Sequence, residues 1–263
     1  MGFDLKRGTL NPSKEKKFIN NSIYSIEMSK KNIVAIIPAR GKSKRIPGKN
    51  YKKFNGKPVI VATIEKLKNS KIFDRIIVST DNKKIALIAK SCGAEVPFWR
   101  PKFLSSDYAS GGAVMSHSLE YLLKEKYKFS YACFIFAPNP FLQIKDLKKG
   151  LKKIKSKKCS YVISATPYRF PFYRSFNYSK KMGVKMLFPK NYKKRSQELK
   201  QIYCDAAQFY WGSKNAWLNK KVAFSKNSDI IEIPEYRYHD LDTVSDWKRA
   251  EIFSKIYEKK NIL

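Results

Sequence analysis

The sequence predicts an α/β fold, a mainly parallel sheet covered by helices on both faces. Three observations predict it. Short apolar runs at Ile33–Ile37, Arg75–Ser79, Tyr131–Phe136 and Tyr161–Ala165 alternate with stretches whose apolar residues recur at helical spacing. That alternation builds βαβ units, and βαβ units build parallel sheets. The longest apolar run, Tyr131 to Ala137, suits one buried strand and falls far below the ~20 residues of a membrane span.

Each element has a local reason. Met1 to Lys31 is polar, basic and weakly periodic, and is read as a tail; Met28, just before the first strand, is an alternative start. Residues 32–263 read as a single domain, within the one to two that 263 residues allow at ~150 each. Ile33–Ile37 is the first strand, and Pro38 opens a Gly/Lys/Arg/Ser loop reaching Asn50. Lys57-Pro58 opens a helix, since proline suits a first turn, and Val59, Ile60, Ala62, Thr63, Ile64 and Leu67 supply its buried stripe. After the strand Arg75–Ser79, Asp81 is the expected N-cap of a helix over Lys83–Cys92, with Gly93 its stop. A short strand is expected at Glu95–Pro97, and Ser110 caps a helix through Val114 to Leu123. Tyr131–Phe136 is a strand, Ile144–Ile154 a helix and Tyr161–Ala165 a strand. Pro167 to Gln201 mixes Pro, Tyr, Phe and basic residues without a clean period, and is read as an insertion of β-ribbon character. Ala207–Trp211 and Ile230–Ile233 are strand-like, and Thr243-Val-Ser-Asp246 has capping-box spacing for a last helix through Ile256.

Composition narrows the class. Apolar residues at 43% and aromatics at 14% support a real core and exclude a disordered chain. The N-terminus lacks the apolar stretch of a secretory signal. Cys92, Cys133, Cys159 and Cys204 are scattered without a CxxC pair, so neither zinc nor a disulfide framework is expected, and a reducing cytoplasm fits. The 55 Lys+Arg against 21 Asp+Glu give a net charge of +34, which also suits a nucleic-acid or anionic-membrane binder. The lysines run along the whole chain beside abundant Asn and Ile, as in an AT-rich genome, and no zinc-finger, helix-turn-helix or RNP pattern accompanies them. The favoured reading is therefore a lysine-rich background, with no membrane and no specific nucleic acid as partner. Such a field still steers small anions inward.

In parallel sheets ligands bind beyond the carboxyl ends of the strands. The loop Ile36–Asn50 follows the first strand and carries Arg40, Lys42, Lys44, Arg45 and Lys49 with Gly41 and Gly48. Glycines let backbone N–H groups turn toward an anion, and the cations add charge-assisted hydrogen bonds to phosphate oxygens. The loop suits a polyphosphate, although it is neither GxxxxGK[ST] nor GxGxxG. Late in the chain, Asp240 and Asp242 are one residue apart, so an extended backbone points both to one face. Two carboxylates there suit Mg²⁺ shared with phosphates; the plain alternative is a loop cap at Asp242 and a surface acid at Asp240. His239 precedes them and His117 lies within a helix as packing or pocket wall.

With Pro38, Ala39, Arg40, Ser43, Lys44, Lys49 and Asn50 in place, the first loop resembles the IPARxxSKxxxxKN signature of the cytidylyltransferases that activate nine-carbon ulosonic acids, the sialic acid synthetase family. The resemblance extends over about 32–258. It implies a Rossmann-like domain of the nucleotide-diphospho-sugar transferase type. In that reading CTP lies on Ala39, Arg40, Gly41, Ser43, Lys44, Lys49 and Asn50, with Arg100 near the cytosine and Ser110 near the nucleotide. Taken alone, Arg100 equally suits a helix cap or a pair with Asp107. The late DxD of the family matches Asp240 and Asp242 and implies Mg²⁺, with Mn²⁺ the alternative; Arg40 and Lys49 join them as catalytic groups. The run from Arg195 to Gly212 and the segment Phe136–Phe141 resemble the branch acting on pseudaminic acid, with departures at Pro138 and Asn139, and with Cys204 where that branch carries His. Arg195 and Gln197 then suit a sugar carboxylate and Gln208 a sugar pocket, while the Phe and Trp of QFYWG read as core.

The reaction implied is CMP transfer from CTP to the anomeric hydroxyl of a nine-carbon ulosonic acid, with release of pyrophosphate, for surface glycan or flagellin glycosylation. Pseudaminic acid is the first choice of acceptor; N-acetylneuraminic and legionaminic acids are the alternatives. The resemblance also implies a homodimer in which Pro167–Gln201 of one subunit reaches the other's sugar site. Three rivals are weaker. A sugar-1-phosphate nucleotidyltransferase needs a GxGTR-type loop; a glycosyltransferase places its DxD mid-chain; a nucleic-acid-binding protein predicts salt-sensitive DNA binding and no CTP turnover.

Overall fold

The computed structural model describes residues 32–168 and 172–260. The predicted tail over 1–31 and residues 169–171 of the predicted insertion lie outside the described residues. In chain order the elements are β1 (Ile33–Pro38), a small hairpin of β2 (Lys53–Phe54) and β3 (Lys57–Pro58), α1 (Val59–Ser70), β4 (Arg75–Ser79), α2 (Lys83–Ser91), α3 (Gly111–Lys124) and β5 (Tyr131–Ile135). They continue with α4 (Ile144–Ser156), β6 (Tyr161–Pro167), β7 (Phe176–Ser179), β8 (Gly183–Met186), β9 (Tyr203–Ser213), α5 (Lys214–Leu218), β10 (Ser228–Glu232) and α6 (Val244–Lys259).

Six strands form one sheet in the order β10-β6-β9-β5-β1-β4. β1 runs parallel to β4 and β5, and β10 parallel to β6, while β9 runs antiparallel to both its neighbours. The mainly parallel sheet expected from the alternation is present, with β9 as its one reversed strand. Side chains alternate across it as a period of two requires. Ile33, Ala35 and Ile37 pack with Ile60 and Ile64 of α1, Ile85 of α2 and Leu147 of α4. Val34 and Ile36 pack on the other face with Met115, Leu119 and Leu122 of α3 and Trp217 of α5. Both faces are dry, which is why β1 reads as an unbroken apolar run. Each such Ile contributes about 1.5–3 kcal/mol by burial.

A third cluster lies beyond the strand ends. Phe54 of the small hairpin, Ile46 of the first loop and Phe141 pack with Leu241, Trp247, Ala250 and Tyr257. Phe54 meets the Trp247 ring edge-on at 5.7 Å, and Trp247 Nε1 donates to the Lys53 carbonyl at 3.3 Å. The last helix is thereby clamped to the first loop. Its start is the expected capping box: Thr243 Oγ1 accepts from the Asp246 N–H at 3.1 Å, and Asp246 accepts from the Thr243 N–H at 2.9 Å.

Three local readings are corrected. Asp81 does not cap α2; Asn82 does, its Oδ1 accepting from the Ile85 N–H at 3.1 Å, because the Asp81 carboxylate is taken by the first loop. Glu95–Pro97 forms no strand, only a single parallel bridge from Glu95 to Ile77. The strand expected at Ala207–Trp211 is longer, and is bulged: its register with β6 shifts between Ile163 and Ala165, and Ala207 takes φ +48°. There Ser164 Oγ accepts from the N–H groups of Gln208 and Phe209 at 3.0 and 3.1 Å. The ribbon expected in the insertion is present as the antiparallel pair β7–β8, with Phe176, Tyr178, Met182 and Val184 exposed.

Candidate active site

The first loop leaves β1 at the carboxyl edge of the sheet and is shaped by its own backbone. The Ala39 N–H donates to the Ser79 carbonyl at 2.9 Å, and the Gly41 N–H to the Asp81 carboxylate at 2.7 Å. Asn50 Nδ2 closes the loop by donating to the Arg40 carbonyl at 2.9 Å. Gly48 takes φ +65°, and a Cβ there would stand 2.6 Å from the Tyr51 ring, so the turn requires glycine. Ala39, Gly41 and Asn50 thus set the path of the loop.

The loop's cations line a cleft of about 530 Å³ that also takes in Ser43, Arg100, Asp107, Phe136, Pro138 and Asp242. Arg40 Nη1 meets Asp107 Oδ1 at 2.8 Å and donates to the Ser106 carbonyl at 3.0 Å. Lys44 Nζ lies 2.7 Å from the other Asp107 oxygen. Arg45 Nη1 and Lys49 Nζ meet the two oxygens of Asp242 at 2.5 and 3.1 Å. Hydrogen bonding from Lys44 holds the Asp107 carboxyl below the usual range against desolvation, with the Lys44 charge and Arg40 assisting.

Arg100 is buried at the floor of the cleft. Its guanidinium donates to Ser79 Oγ at 3.1 Å and to the Ser79 carbonyl. Burial lowers its pKa to about 10. Of the two alternatives for Arg100, a helix cap or a pair with Asp107, the structure takes neither. Ser110 caps α3, accepting from the Ala113 N–H at 3.2 Å. It lines a second cavity of about 780 Å³ rather than the cleft itself. The two spaces share Leu104, Gly111, Phe134 and Phe136. This larger cavity is aromatic: Tyr161, Tyr210 and Trp217 line it with His117 and Glu120, and Phe134, Phe136 and Tyr210 touch one another at 4.9–5.8 Å. His117 is pocket wall, its ring edge-on to Phe98 at 4.9 Å.

The Asp240 and Asp242 carboxyls lie close enough to act on each other electrostatically. Desolvation, then the Asp242 charge, raises the Asp240 carboxyl above its ordinary range, against the pull of Lys49 and Arg45. Asp240 also borders a chamber of about 50 Å³ with Lys49, Asn139, Gln208, Arg237 and His239. Gln208 Nε2 donates to the Arg237 carbonyl at 3.2 Å, while its buried Oε1 has no partner. Arg237 is fixed from behind by a buried pair to Asp146 at 2.5 Å. His239 Nε2 lies 3.0 Å from the Tyr236 carbonyl and its ring stacks near Phe141 at 4.3 Å; burial lowers its pKa.

The donor set fits a hard divalent cation. Two abutting carboxylates, one destabilised by the other's charge, gain from a cation between them. Among the described residues no cluster of three or more His, Cys, Asp or Glu could hold a metal, so a cation at this pair would need further ligands from outside the chain.

Of the residues expected around CTP, Arg40, Ser43, Lys44, Lys49, Asn50 and Arg100 line the cleft, Ala39 and Gly41 shape the loop behind it, and Ser110 lines the aromatic cavity instead. Arg195 and Gln197 are exposed on the inserted segment and line neither space. Gln208 alone of the expected sugar ligands lies near the acidic pair. The run Arg100-Pro101, Leu104-Ser-Ser-Asp107 and Ser110, which by resemblance lines a nucleotide pocket, does bring Asp107 to the cleft. Sequence reasoning took Asp81 as a helix cap and missed Arg237, which nothing local marks.

Residues 34–258 match the family model described as cytidylyltransferase. The chain is 38% identical over 223 residues to the pseudaminic acid cytidylyltransferase of Campylobacter jejuni, covering 85% of this chain and 96% of that one. It is 31% identical over 226 residues to the CMP-N,N'-diacetyllegionaminic acid synthase of the same species, covering 83% and 93%. Among solved structures, a CMP:2-keto-3-deoxy-manno-octonic acid synthetase complexed with CTP superposes with a TM-score of 0.63 at 14% identity, over 85% of this chain and 98% of that one, a likeness of fold.

Proposed function

The chain belongs to the cytidylyltransferase family, and on that premise we propose that it transfers CMP from CTP to the anomeric hydroxyl of a nine-carbon ulosonic acid, pseudaminic acid first among them. The observation that carries the reading is one juxtaposition. The cationic first loop meets Asp242 of the acidic pair in a cleft that shares a wall with an aromatic cavity.

The triphosphate lies along the cleft, with Arg40, Lys44 and Lys49 against its β- and γ-phosphates. Arg100 stands at the nucleobase end, fixed by Ser79. The acceptor occupies the 780 Å³ cavity, a size that suits a small ligand, where aromatic faces pack against C–H and N-acyl groups. Its anomeric oxygen attacks the α-phosphorus in line. A phosphorus–oxygen bond forms to the sugar, the bond to the β-phosphate oxygen breaks, pyrophosphate leaves, and the hydroxyl proton passes to water. The chain contributes positioning and charge neutralisation rather than covalent chemistry. Asp240 and Asp242 would hold Mg²⁺, or Mn²⁺ as the alternative, which when bound neutralises charge at the reacting phosphate.

We assign the exposed β7–β8 ribbon to a homodimer contact. An isolated two-stranded ribbon with apolar side chains on its surface gains by being covered. A partner's ribbon is also what would bring Arg195 and Gln197 to an acceptor. Light scattering behind gel filtration should give twice the chain mass, and a monomer at micromolar concentration refutes the assignment. Absence of any membrane-length apolar helix among the described residues accords with soluble substrates.

The deciding experiment is pyrophosphate release from CTP with Mg²⁺ and pseudaminic, legionaminic or N-acetylneuraminic acid. Release with one sugar names the acceptor. Release with none, in a folded protein that binds CTP, removes the acceptor class.

A further inference from the structure

Two acids face the cations of the first loop. Asp242 belongs to the acidic pair. Asp107 takes no part in the steps above, yet both of its oxygens are engaged in the cleft: Oδ1 by Arg40 at 2.8 Å and Oδ2 by Lys44 at 2.7 Å. It sits on the turn between Leu104, at the neck of the two cavities, and Ser110, the cap of α3. The same Arg40 nitrogen donates to the Ser106 carbonyl at 3.0 Å, so the turn grips the guanidinium twice.

A carboxylate that bridges an arginine and a lysine with two oxygens does what a phosphate does at the same place. These pairs are about one-third exposed or more, so neither is locked by burial: side-chain exposure is 32% at Arg40, 37% at Asp107 and 84% at Lys44. Exposed pairs are weak and exchange readily for a ligand of higher charge.

We propose that Asp107 is a positioning residue for the triphosphate, a resident counter-ion that holds Arg40 and Lys44 on the cleft wall and yields them to the phosphates of CTP. The inference rests on reading the cleft as a triphosphate site. It goes beyond that reading by giving the cleft an anion of its own, which every incoming nucleotide has to displace. An acid that merely shaped the turn would leave affinity unchanged or weaken it on removal. A resident counter-ion does the opposite: its removal tightens binding, and it leaves Arg40 less well aimed, so turnover does not rise.

The experiment compares wild type, Asp107→Asn, Asp107→Glu and Glu65→Gln. Glu65 is an exposed acid on α1 that lines neither cavity, and its variant loses the same charge elsewhere. Calorimetry reads the binding of CTP and, separately, of inorganic tripolyphosphate; pyrophosphate release reads KM and kcat. Asp107→Asn should bind both ligands about three- to tenfold more tightly, the size of two exposed pairs. Its affinity should fall more steeply with salt, since two more cations are left for the ligand alone. Asp107→Glu should return to wild-type affinity, and Glu65→Gln should not move. Tripolyphosphate binding that is unchanged or weaker in Asp107→Asn overturns the proposal, as does equal tightening in Glu65→Gln. Tripolyphosphate needs no cytidine site, so a protein that binds it as expected but never turns over CTP refutes the enzyme reading and leaves Asp107 in its role.

Discussion

Asp242 serves three partners: it balances Arg45 and Lys49 and lies beside Asp240. Asp242→Ala should reduce CTP turnover by on the order of a hundredfold or more, since even the groups that orient a metal ligand are worth about 10–100-fold. Circular dichroism should be unchanged, because no core residue is lost. Activity within threefold of wild type refutes the metal assignment. Ala207 is a second residue-scale case. It holds φ +48° at the bulge of β9, a conformation that disfavours any side chain with a Cβ. Ala207→Gly should stabilise by about 0.5–1 kcal/mol, a net gain after the entropy cost of glycine. Thermal unfolding would show it as a rise of about 2–4 °C for each kcal/mol. The polar residues of the first loop were legible in the sequence because a basic, glycine-bearing loop after an apolar strand has few structural uses. Asp81 and Asn82 were not separable there: both cap helices, and only the tertiary hydrogen bond from Gly41 decides between them.

At the scale of elements, periodicity marked the strands and helices whose two faces differ, such as α1 and β1. It failed where an element depends on distant partners. The hairpin β2–β3 has two residues in each strand and exists because Phe54 packs on Trp247, nearly two hundred positions away. Helix α4 shows how tightly such contacts are set. A Cβ on Gly150 would stand 2.5 Å from Trp211 Cδ1 and 3.2 Å from the Phe209 ring, and both rings are fully buried. Gly150→Ala gains about 1 kcal/mol of helix propensity and meets overpacking of about 1–3 kcal/mol. It should lower the urea midpoint, which a denaturation curve reads directly. The edge strand β10 is tied to α4 by Asp229, which takes Lys153 at 2.9 Å and Lys157 at 2.6 Å. Partial burial would raise this carboxyl, but the hydrogen bonds from Lys157, Lys153 and the Ile230 N–H outweigh it and bring its pKa to about 2. A depressed folded pKa stabilises fully above the unfolded value of about 3.9, and that part is lost as pH falls toward 2. The melting-temperature gap between wild type and Asp229→Asn should therefore be constant from pH 7 to pH 5 and close between pH 4 and pH 2. A gap that persists at pH 2 removes Asp229 as the cause.

At the scale of the molecule, a charge of +34 acts on everything else. Self-repulsion disfavours the compact state and is screened as the Debye length falls from ~30 Å at 0.01 M salt to ~10 Å at 0.1 M. Melting temperature should rise over that range, while the KM for CTP rises with it as steering weakens. A melting temperature indifferent to salt would mean that the charge is already balanced within the fold. The clamp of the last helix onto the first loop has a consequence in time. Lys49 and Asp242 are 193 positions apart, and both sit beside the cluster that Trp247 completes. A ribosome adding about 5–20 residues per second delivers the whole cationic loop roughly ten seconds or more before the acids that face it. A nascent chain, or one cut short before Asp240, carries the cations for the phosphates but neither the acidic pair nor the last helix that completes the cleft. Competence arrives with the final turn of synthesis, so only a finished polypeptide draws on the cell's nucleotide supply.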